Sequence, residues 1–159
     1  MYRQIVDNEY VAAAGALIDL AEGSIDLSTF KLQYDHTHRG DFLRGLIDKL
    51  LLKIRAGVKV RCLMNWDEKR RGVAKTNGPV AELLKREGAD VRFLEKNRCC
   101  HSKLLIIDGR RMILGSHNWS NRSVGSNFEI SLEIDAPEVI KPIQDVFLRS
   151  FCDARKFQG

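Results

Sequence analysis

The sequence has little proline and no long hydrophobic run. It contains three prolines in 159 residues, and no internal repeat or low-complexity tract has the composition of a linker. The longest early apolar run, Val11 to Ile18, ends at Asp19 and is too short to span a bilayer. We therefore expect one domain over residues 1–159 without a signal or transmembrane segment, with the cytoplasm as the default compartment unless an anchor has been trimmed away.

Cysteine is also scarce, and its spacing excludes two common uses. Cys62, Cys99, Cys100 and Cys152 match neither a disulfide framework nor a zinc pattern. The adjacent Cys99 and Cys100 stand beside His101, but a structural zinc site needs four ligands at suitable spacing. We expect free thiols in a reducing compartment, with no metal and no cofactor.

Acidic residues are outnumbered by basic ones. The chain has 26 lysines and arginines against 21 aspartates and glutamates, which gives a formal net charge of +5 and a pI of about 9.1. Apolar residues make up 44% and charged residues 30%, an ordinary balance for a folded domain. The positive excess favours a polyanionic partner, either nucleic acid or an anionic membrane surface.

Strand and helix patterns alternate along the chain. Strands are predicted at 2–6, 24–32, 58–64, 91–94, 104–107, 112–114 and 128–134. Helices are predicted at 8–22, 40–55, 79–87 and 137–155, with polar loops at 33–39 and 67–77. The strands at 104–107 and 112–114 are apolar on both faces. The pattern predicts an α/β fold in which a mixed β-sheet is sandwiched between α-helices.

One hairpin carries the candidate site. His101 and Lys103 are two residues apart on a strand, so their side chains share a face. Asp108-Gly109 is typical of a two-residue turn, which would place Ser116 opposite His101; a four-residue turn would place Asn118 there. Either even-length turn gathers these four side chains on one face at one end of the sheet, whereas a three-residue turn with a bulge would not.

This group of side chains suits a phosphodiester. Lys103 supplies a cation, and Ser116 and Asn118 supply neutral donors for the non-bridging oxygens. His101 can attack phosphorus through a neutral ring and form a covalent phosphohistidine. Glu129, on the following strand, can orient a histidine ring and stabilise its cation.

Asp108 belongs to a different environment. It lies seven residues from His101, which is about 23 Å along an extended strand, and the odd offset points it to the opposite face. We expect Asp108 to support the structure behind the site through hydrogen bonds or an ion pair.

These residues resemble the signature of the phospholipase D superfamily. That signature is His-x-Lys, four residues, Asp, six residues, then Gly-Ser-x-Asn. Its positions are filled here by His101, Lys103, Asp108, Gly115, Ser116 and Asn118. A downstream Asn-x-Glu follows at Asn127 and Glu129, and the resemblance extends upstream through 56–60 and 88–92, so that it covers nearly the whole chain as one phospholipase D-like catalytic domain.

The resemblance implies a metal-independent, two-step phosphodiester transfer. It also implies two motifs per active site, with one histidine as the nucleophile and the other as the general acid that protonates the leaving group. This chain carries one motif. The simplest completion is a twofold homodimer in which both copies of His101 face each other across the interface, as in small single-motif members of the superfamily.

Several other side chains have two interpretations each. His36 and His38, in a polar loop, are either solvated or the missing acid or rim contacts. His117 points away from His101 and suits a structural or rim position. Trp66 and Trp119 either stack on bases or acyl chains or pack in the core or rim. A basic set either flanks a phosphate groove or is solvated: Lys69, Arg70, Arg71, Lys75, Arg98 and Arg122.

Three functions fit the motif. The first is an endonuclease for DNA or RNA, which the basic charge and the small size favour. The second is a phospholipase or phosphatidyl transferase that acts on a lipid such as cardiolipin, because the same centre recognises only the diester. The third is a noncatalytic nucleic-acid-binding module, against which the complete motif argues. An apolar rim would favour lipid, and a narrow basic groove would favour nucleic acid.

Overall fold

The computed structural model describes residues 1–34, 42–66, 71–94 and 98–157. Strands and helices alternate through the first half of the chain, and a hairpin and two further helices follow. The elements in chain order are β1 (Tyr2–Val6), α1 (Glu9–Asp19), β2 (Ser24–Thr29), α2 (Arg44–Arg55), β3 (Lys59–Met64), α3 (Arg71–Arg86), β4 (Asp90–Phe93), β5 (Leu104–Ile107), β6 (Arg111–Gly115), α4 (Asn121–Gly125), β7 (Ile130–Ile134), α5 (Pro137–Cys152) and β8 (Arg155–Lys156).

All the described strands join one mixed sheet in the order β1-β7-β6-β5-β2-β3-β4-β8. The central pairs β2–β3 and β3–β4 are parallel, and the remaining pairs are antiparallel. The helices α1, α2 and α3 cover one face over a large apolar core. The helix α5 packs on the other face through Ile140, Phe147 and Phe151. The predicted α/β fold with a sheet sandwiched between helices is therefore confirmed.

The third helix begins earlier than the sequence predicts. Proline favours the first turn of a helix, which suggested a start at 79. The helix instead begins at Arg71 and contains Pro79 in its interior. Asn77, in the added turns, is fully buried and its side chain bonds to the loops after β2 and β3. These tertiary contacts outweigh the hydrogen bond that the proline removes.

Smaller differences concern element ends. The second strand ends at Thr29 and not at 32, and α5 ends at Cys152 and not at 155. The short strand β8, which follows α5 and pairs with β4, was not predicted. The four cysteines are free, as expected, with Cys62 and Cys100 buried. Within the described ranges, no helix has both the length and the apolar character needed to cross a membrane.

Candidate active site

The β5–β6 hairpin has a three-residue connection, so the predicted register is wrong. Ile107 pairs with Arg111 and Leu104 pairs with Leu114. Asp108 and Gly109 adopt left-handed backbone angles, with φ of 52° and 65°, and close the tight turn expected of that dipeptide. Arg110 donates its N–H to Ile107 O at 2.9 Å but remains outside the ladder. Because of this extra residue, the turn has an odd length. The prediction that the four motif side chains share one face required a turn of even length.

The site nevertheless forms, because it lies beyond the paired part of the hairpin. The strand β5 starts at Leu104, so His101 and Lys103 precede it. Ser116 and Asn118 follow the end of β6, and the ladder register does not dictate their direction. The two segments meet where the Gly115 N–H donates to Lys103 O at 3.3 Å. Local contacts, and not strand alternation, therefore bring the motif residues to one end of the sheet.

Gly115 lies very close to the backbone of β7. A Cβ atom at this position would lie 2.2 Å from Ser131 Oγ and 2.4 Å from Ser131 Cα. Only glycine fits without moving the neighbouring backbone. The next residue, Ser116, is consequently held against β7, where its Oγ accepts from Ile130 N–H at 3.1 Å.

His101 and Lys103 form a pair in which the histidine is exposed and the lysine is buried. Lys103 Nζ lies 3.2 Å from His101 Nδ1 and donates to His101 O at 2.5 Å. The ring of Phe30 contacts the His101 ring, with centroids 5.4 Å apart, and lies 5.9 Å from Lys103 Nζ. Burial lowers the pKa of Lys103, although the nearby thiols and Glu129 favour its charged form. An anion bound at His101 would add negative charge beside this ammonium and favour its charged form.

Glu129 is buried behind Ser116. Its Oε1 accepts from Ser123 Oγ at 2.8 Å and from Asn127 Nδ2 at 3.0 Å. Burial raises the pKa of Glu129, but hydrogen bonds from Asn127, Ser116 and Ser123 outweigh it, so the pKa is lowered. Within the described part of the chain, no hydrogen bond joins this carboxylate to His101.

Asn118 is held through both its backbone and its side chain. Its backbone N–H donates to Ser123 Oγ at 2.9 Å, and its Oδ1 lies 3.5 Å from Thr29 Oγ1 at the end of β2. The side chain thereby reaches the strand that leads to Phe30. Four of the six motif residues, His101, Lys103, Ser116 and Asn118, thus lie around one end of the central strands.

Asp108 lies at the opposite end of the hairpin, as its offset predicts. Its carboxylate accepts backbone N–H groups from Glu22 at 2.9 Å, Gly23 at 2.8 Å and Ser24 at 2.6 Å. Burial raises the pKa of Asp108, but these three hydrogen bonds lower it further than burial raises it. The contacts bind the hairpin turn to the start of β2, which agrees with a supporting role behind the site.

His117 is fully buried in a hydrogen-bonded position. Its Nε2 lies 2.9 Å from Asp7 O, its Nδ1 lies 2.7 Å from Ser131 Oγ, and its ring stacks on Tyr10 at 4.6 Å. A carbonyl oxygen only accepts, so Nε2 carries a proton and a neutral ring accepts from Ser131 through Nδ1. Burial lowers the pKa of His117. These contacts favour the structural interpretation of this histidine.

Both tryptophans pack within the protein. Trp119 is 1% exposed, and its Nε1 donates to Tyr10 Oη at 2.8 Å, so its ring is not available to stack on a substrate. Trp66 packs against Phe93 and Phe157, with centroids at 4.9 and 5.9 Å. The core interpretation therefore applies to Trp119, and Trp66 belongs to an aromatic cluster beside β4.

The basic set is only partly described. Lys75, Arg98 and Arg122 are exposed, and Arg122 Nε donates to Asn127 Oδ1 at 3.2 Å. His36, His38, Lys69 and Arg70 lie outside the described residues, as does the side chain of Arg71. In the ranges that are described, no group of three or more His, Cys, Asp or Glu residues is arranged to hold a metal ion.

Three residues near the site were not anticipated. Phe30 follows β2 and contacts both His101 and Lys103. Asn65 follows β3 and accepts from the Cys100 N–H at 3.0 Å, and Asn77 bonds to both loops. The sequence carried no signal for Asn77, because it lies in the segment 67–77 that was predicted as a polar loop, where an amide is ordinary.

Comparison with known proteins identifies a family and several relatives of this chain. Residues 15–151 match the family model described as "Cardiolipin synthase, PLD-like domain". The chain is 32% identical over 101 residues to a mitochondrial cardiolipin hydrolase of Danio rerio, which covers 63% of this chain and 42% of that protein. The chain thus spans less than half the length of the curated relatives it matches.

Solved structures share the fold over the full length. Nuc from Salmonella typhimurium, a phospholipase D family member, matches with a TM-score of 0.81 and 17% identity over 100% of both chains. NucT from Helicobacter pylori matches with a TM-score of 0.77 and 18% identity, over 99% of this chain and 100% of that one. The chain therefore belongs to the phospholipase D-like domain family, and the solved structures share its fold.

Proposed function

We propose that this chain is a metal-independent phosphodiesterase that cuts nucleic acid through a phosphohistidine on His101. The observation that carries the proposal is the pair formed by an exposed imidazole and a buried ammonium 3.2 Å from its Nδ1. The ring is open to a diester, and the ammonium lies where it can offset the negative charge of the phosphate. Ser116 and Asn118 add neutral donors on the other side of the same sheet end.

The proposed reaction has two balanced steps. A ring nitrogen of neutral His101 forms a bond to phosphorus, and the bond from phosphorus to the leaving oxygen breaks. The leaving oxygen takes a proton from a general acid. Water then attacks the phosphohistidine, gives up a proton to the group that served as the acid, and releases the monoester with His101 restored. Lys103, Ser116 and Asn118 hold the non-bridging oxygens throughout.

A second copy of the chain is proposed to supply the general acid. Exposed apolar side chains lie beside the site, and those on the strands belong to the part of the α5 side of the sheet that the helix does not cover: Leu114, Phe128, Ile130 and Leu132. Leu114 and Leu132 are cross-strand partners, so their side chains share that face. Phe128, 78% exposed, directly precedes Glu129. An apolar surface continuous with an incomplete site supports a twofold dimer that buries it.

Charge favours nucleic acid as the substrate. The net charge is +5, and the exposed Arg98 and Arg122 flank the motif segments in sequence. Backbone phosphates of DNA or RNA attract such a surface without regard to sequence. Phospholipid is the second candidate, because the matching relative is named a cardiolipin hydrolase and because the apolar face beside the site also suits acyl chains.

A side-by-side turnover assay tests the choice. Purified protein with EDTA is given single-stranded DNA, duplex DNA, RNA and cardiolipin vesicles at equal phosphodiester concentration. We expect cleavage of nucleic acid and little lipid turnover, and loss of both in His101→Asn. Preferential hydrolysis of the vesicles would replace the nuclease proposal with the lipid one. If no diester is turned over, the noncatalytic nucleic-acid-binding module becomes the favoured function.

A further inference from the structure

We propose that Asn77 is a positioning residue for His101, an inference that rests on the proposed function. Asn77 belongs to α3 and is fully buried, and both Nδ2 and Oδ1 of its side chain form hydrogen bonds. Nδ2 donates to Phe30 O at 3.0 Å and to Asn65 O at 2.8 Å, and Oδ1 accepts from Leu32 N–H at 2.9 Å. One amide thus joins the loop after β2 to the loop after β3.

The first connection to the nucleophile runs through Asn65. This residue is buried, and its Oδ1 accepts the N–H of Cys100 at 3.0 Å. Cys100 directly precedes His101, and β5 begins only at Leu104. The peptide that carries the imidazole is therefore not part of the sheet ladder, and Asn65 is a fixed point for it. Asn77 in turn fixes Asn65 through the backbone carbonyl.

The second connection runs through Phe30. Asn77 holds the Phe30 carbonyl, and the Phe30 ring contacts the His101 ring at a centroid distance of 5.4 Å. The same ring lies 5.9 Å from Lys103 Nζ, within the range of a cation–π contact. The two connections therefore converge on His101, one through its backbone and one through its ring, although Asn77 touches neither the imidazole nor the phosphate.

The geometry requires an amide of this length. Two carbonyl oxygens need donors and one N–H needs an acceptor, all away from water, and unpaired groups there are costly. Aspartate lacks the donors, and leucine lacks both functions. Because small displacements of a reacting group cost large factors in rate, we expect the substitution to act on turnover more than on substrate binding.

The experiment compares Asn77→Ala with Val80→Ala. Val80 is fully buried on the same helix and packs in the apolar core, so its truncation is matched for location and for burial. Both are assayed with bis(4-nitrophenyl) phosphate, a diester that needs no polymer groove, at a temperature where each is folded. We expect kcat of Asn77→Ala to fall by about tenfold to a hundredfold with KM changed less than about twofold, and kcat of Val80→Ala to stay near that of the wild type.

A second variant keeps the inference testable if Asn77→Ala does not fold. Asn65→Ala removes the acceptor for Cys100 N–H and should show the same selective loss of kcat. In the double variant the two losses should combine to less than their product, because the residues act in series. Full-rate turnover by a folded Asn77→Ala or Asn65→Ala, beside an active wild type and an inactive His101→Asn, would overturn this inference alone. An inactive wild type would overturn the proposed function and this inference together.

Discussion

The two ends of the β5–β6 hairpin are built in opposite ways. At the turn, the contacts are to the backbone: the Asp108 carboxylate accepts three N–H groups at the start of β2. At the open end, the contacts are to side chains: His101 and Lys103 depend on Phe30 after β2, Asn65 after β3, and Asn77 of α3, which joins those two segments. A single sequence motif therefore spans a stabilising end and a proposed reactive end of the hairpin. Its aspartate, Asp108, belongs to the stabilising end.

Electrostatics separate the two ends further. The turn stabilises charge, because backbone dipoles lower the pKa of Asp108. The open end opposes charge, because burial lowers the pKa of Lys103. A cation whose pKa is lowered by burial gains from an anionic ligand beside it, whereas a carboxylate that already accepts three hydrogen bonds does not. This contrast explains why one end is proposed to react and the other to hold.

The largest expected effect is at the open end. His101→Asn removes the nucleophile but keeps a side chain of similar polarity at an exposed position. We expect at least about a 10³-fold loss of phosphodiester turnover with the thermal midpoint unchanged, because a covalent step cannot proceed without its nucleophile. Turnover is measured with bis(4-nitrophenyl) phosphate and the midpoint by calorimetry. Substantial activity in the variant would remove His101 from the reaction.

The next effect tests whether the open end is completed by a second chain. Leu132→Glu places a charge in the exposed apolar surface beside the site, and we expect a monomer with turnover reduced about tenfold or more. Leu52→Glu, on the exposed side of α2, is the matched control and should remain dimeric and active. Sedimentation equilibrium gives the masses. A wild type that is monomeric and fully active would contradict the shared site.

At the turn end, the expected effect is on stability. Asp108→Asn keeps a residue that tolerates the left-handed backbone but removes the charge that accepts three N–H groups. We expect the free energy of unfolding to fall by about 1–3 kcal/mol. Turnover per folded molecule should be unchanged. Asp145→Ala, which breaks only a surface pair with Lys141, is the control and should have little effect. A selective loss of kcat in Asp108→Asn would move this aspartate into the reactive end.

The smallest effect concerns pH. Burial lowers the pKa of His117 below its ordinary value of 6.5, so the folded state favours the neutral ring. The stabilisation is complete above that value and is lost as pH falls towards the depressed pKa. The thermal midpoint should therefore decline between pH 7.5 and 5.5, and His117→Gln should be less stable at pH 7.5 but flatter over this range. An equal decline in both proteins would assign the pH dependence to other groups.

The sequence predicted the fold better than it predicted the geometry of the candidate site. Alternating strand and helix patterns predicted the sandwiched sheet. His101, Lys103, Ser116 and Asn118 lie at one end of it, but through local contacts and not through the predicted register. The register was wrong because Arg110 adds one residue to the turn, which no dipeptide preference reveals. The roles of Phe30, Asn65 and Asn77 depend on loops that meet only after the sheet and α3 have packed. Long-range contacts of this kind have no local periodicity in the sequence.

The most direct test of the central claim is a covalent trap on His101. Wild-type protein is mixed with excess diester in EDTA, quenched in alkali within one turnover and digested for mass spectrometry. We expect a phosphoryl adduct on the peptide that contains His101, absent in His101→Asn and lost on incubation with water. Rapid turnover with no adduct under any quench, or an adduct on a different residue, would contradict it.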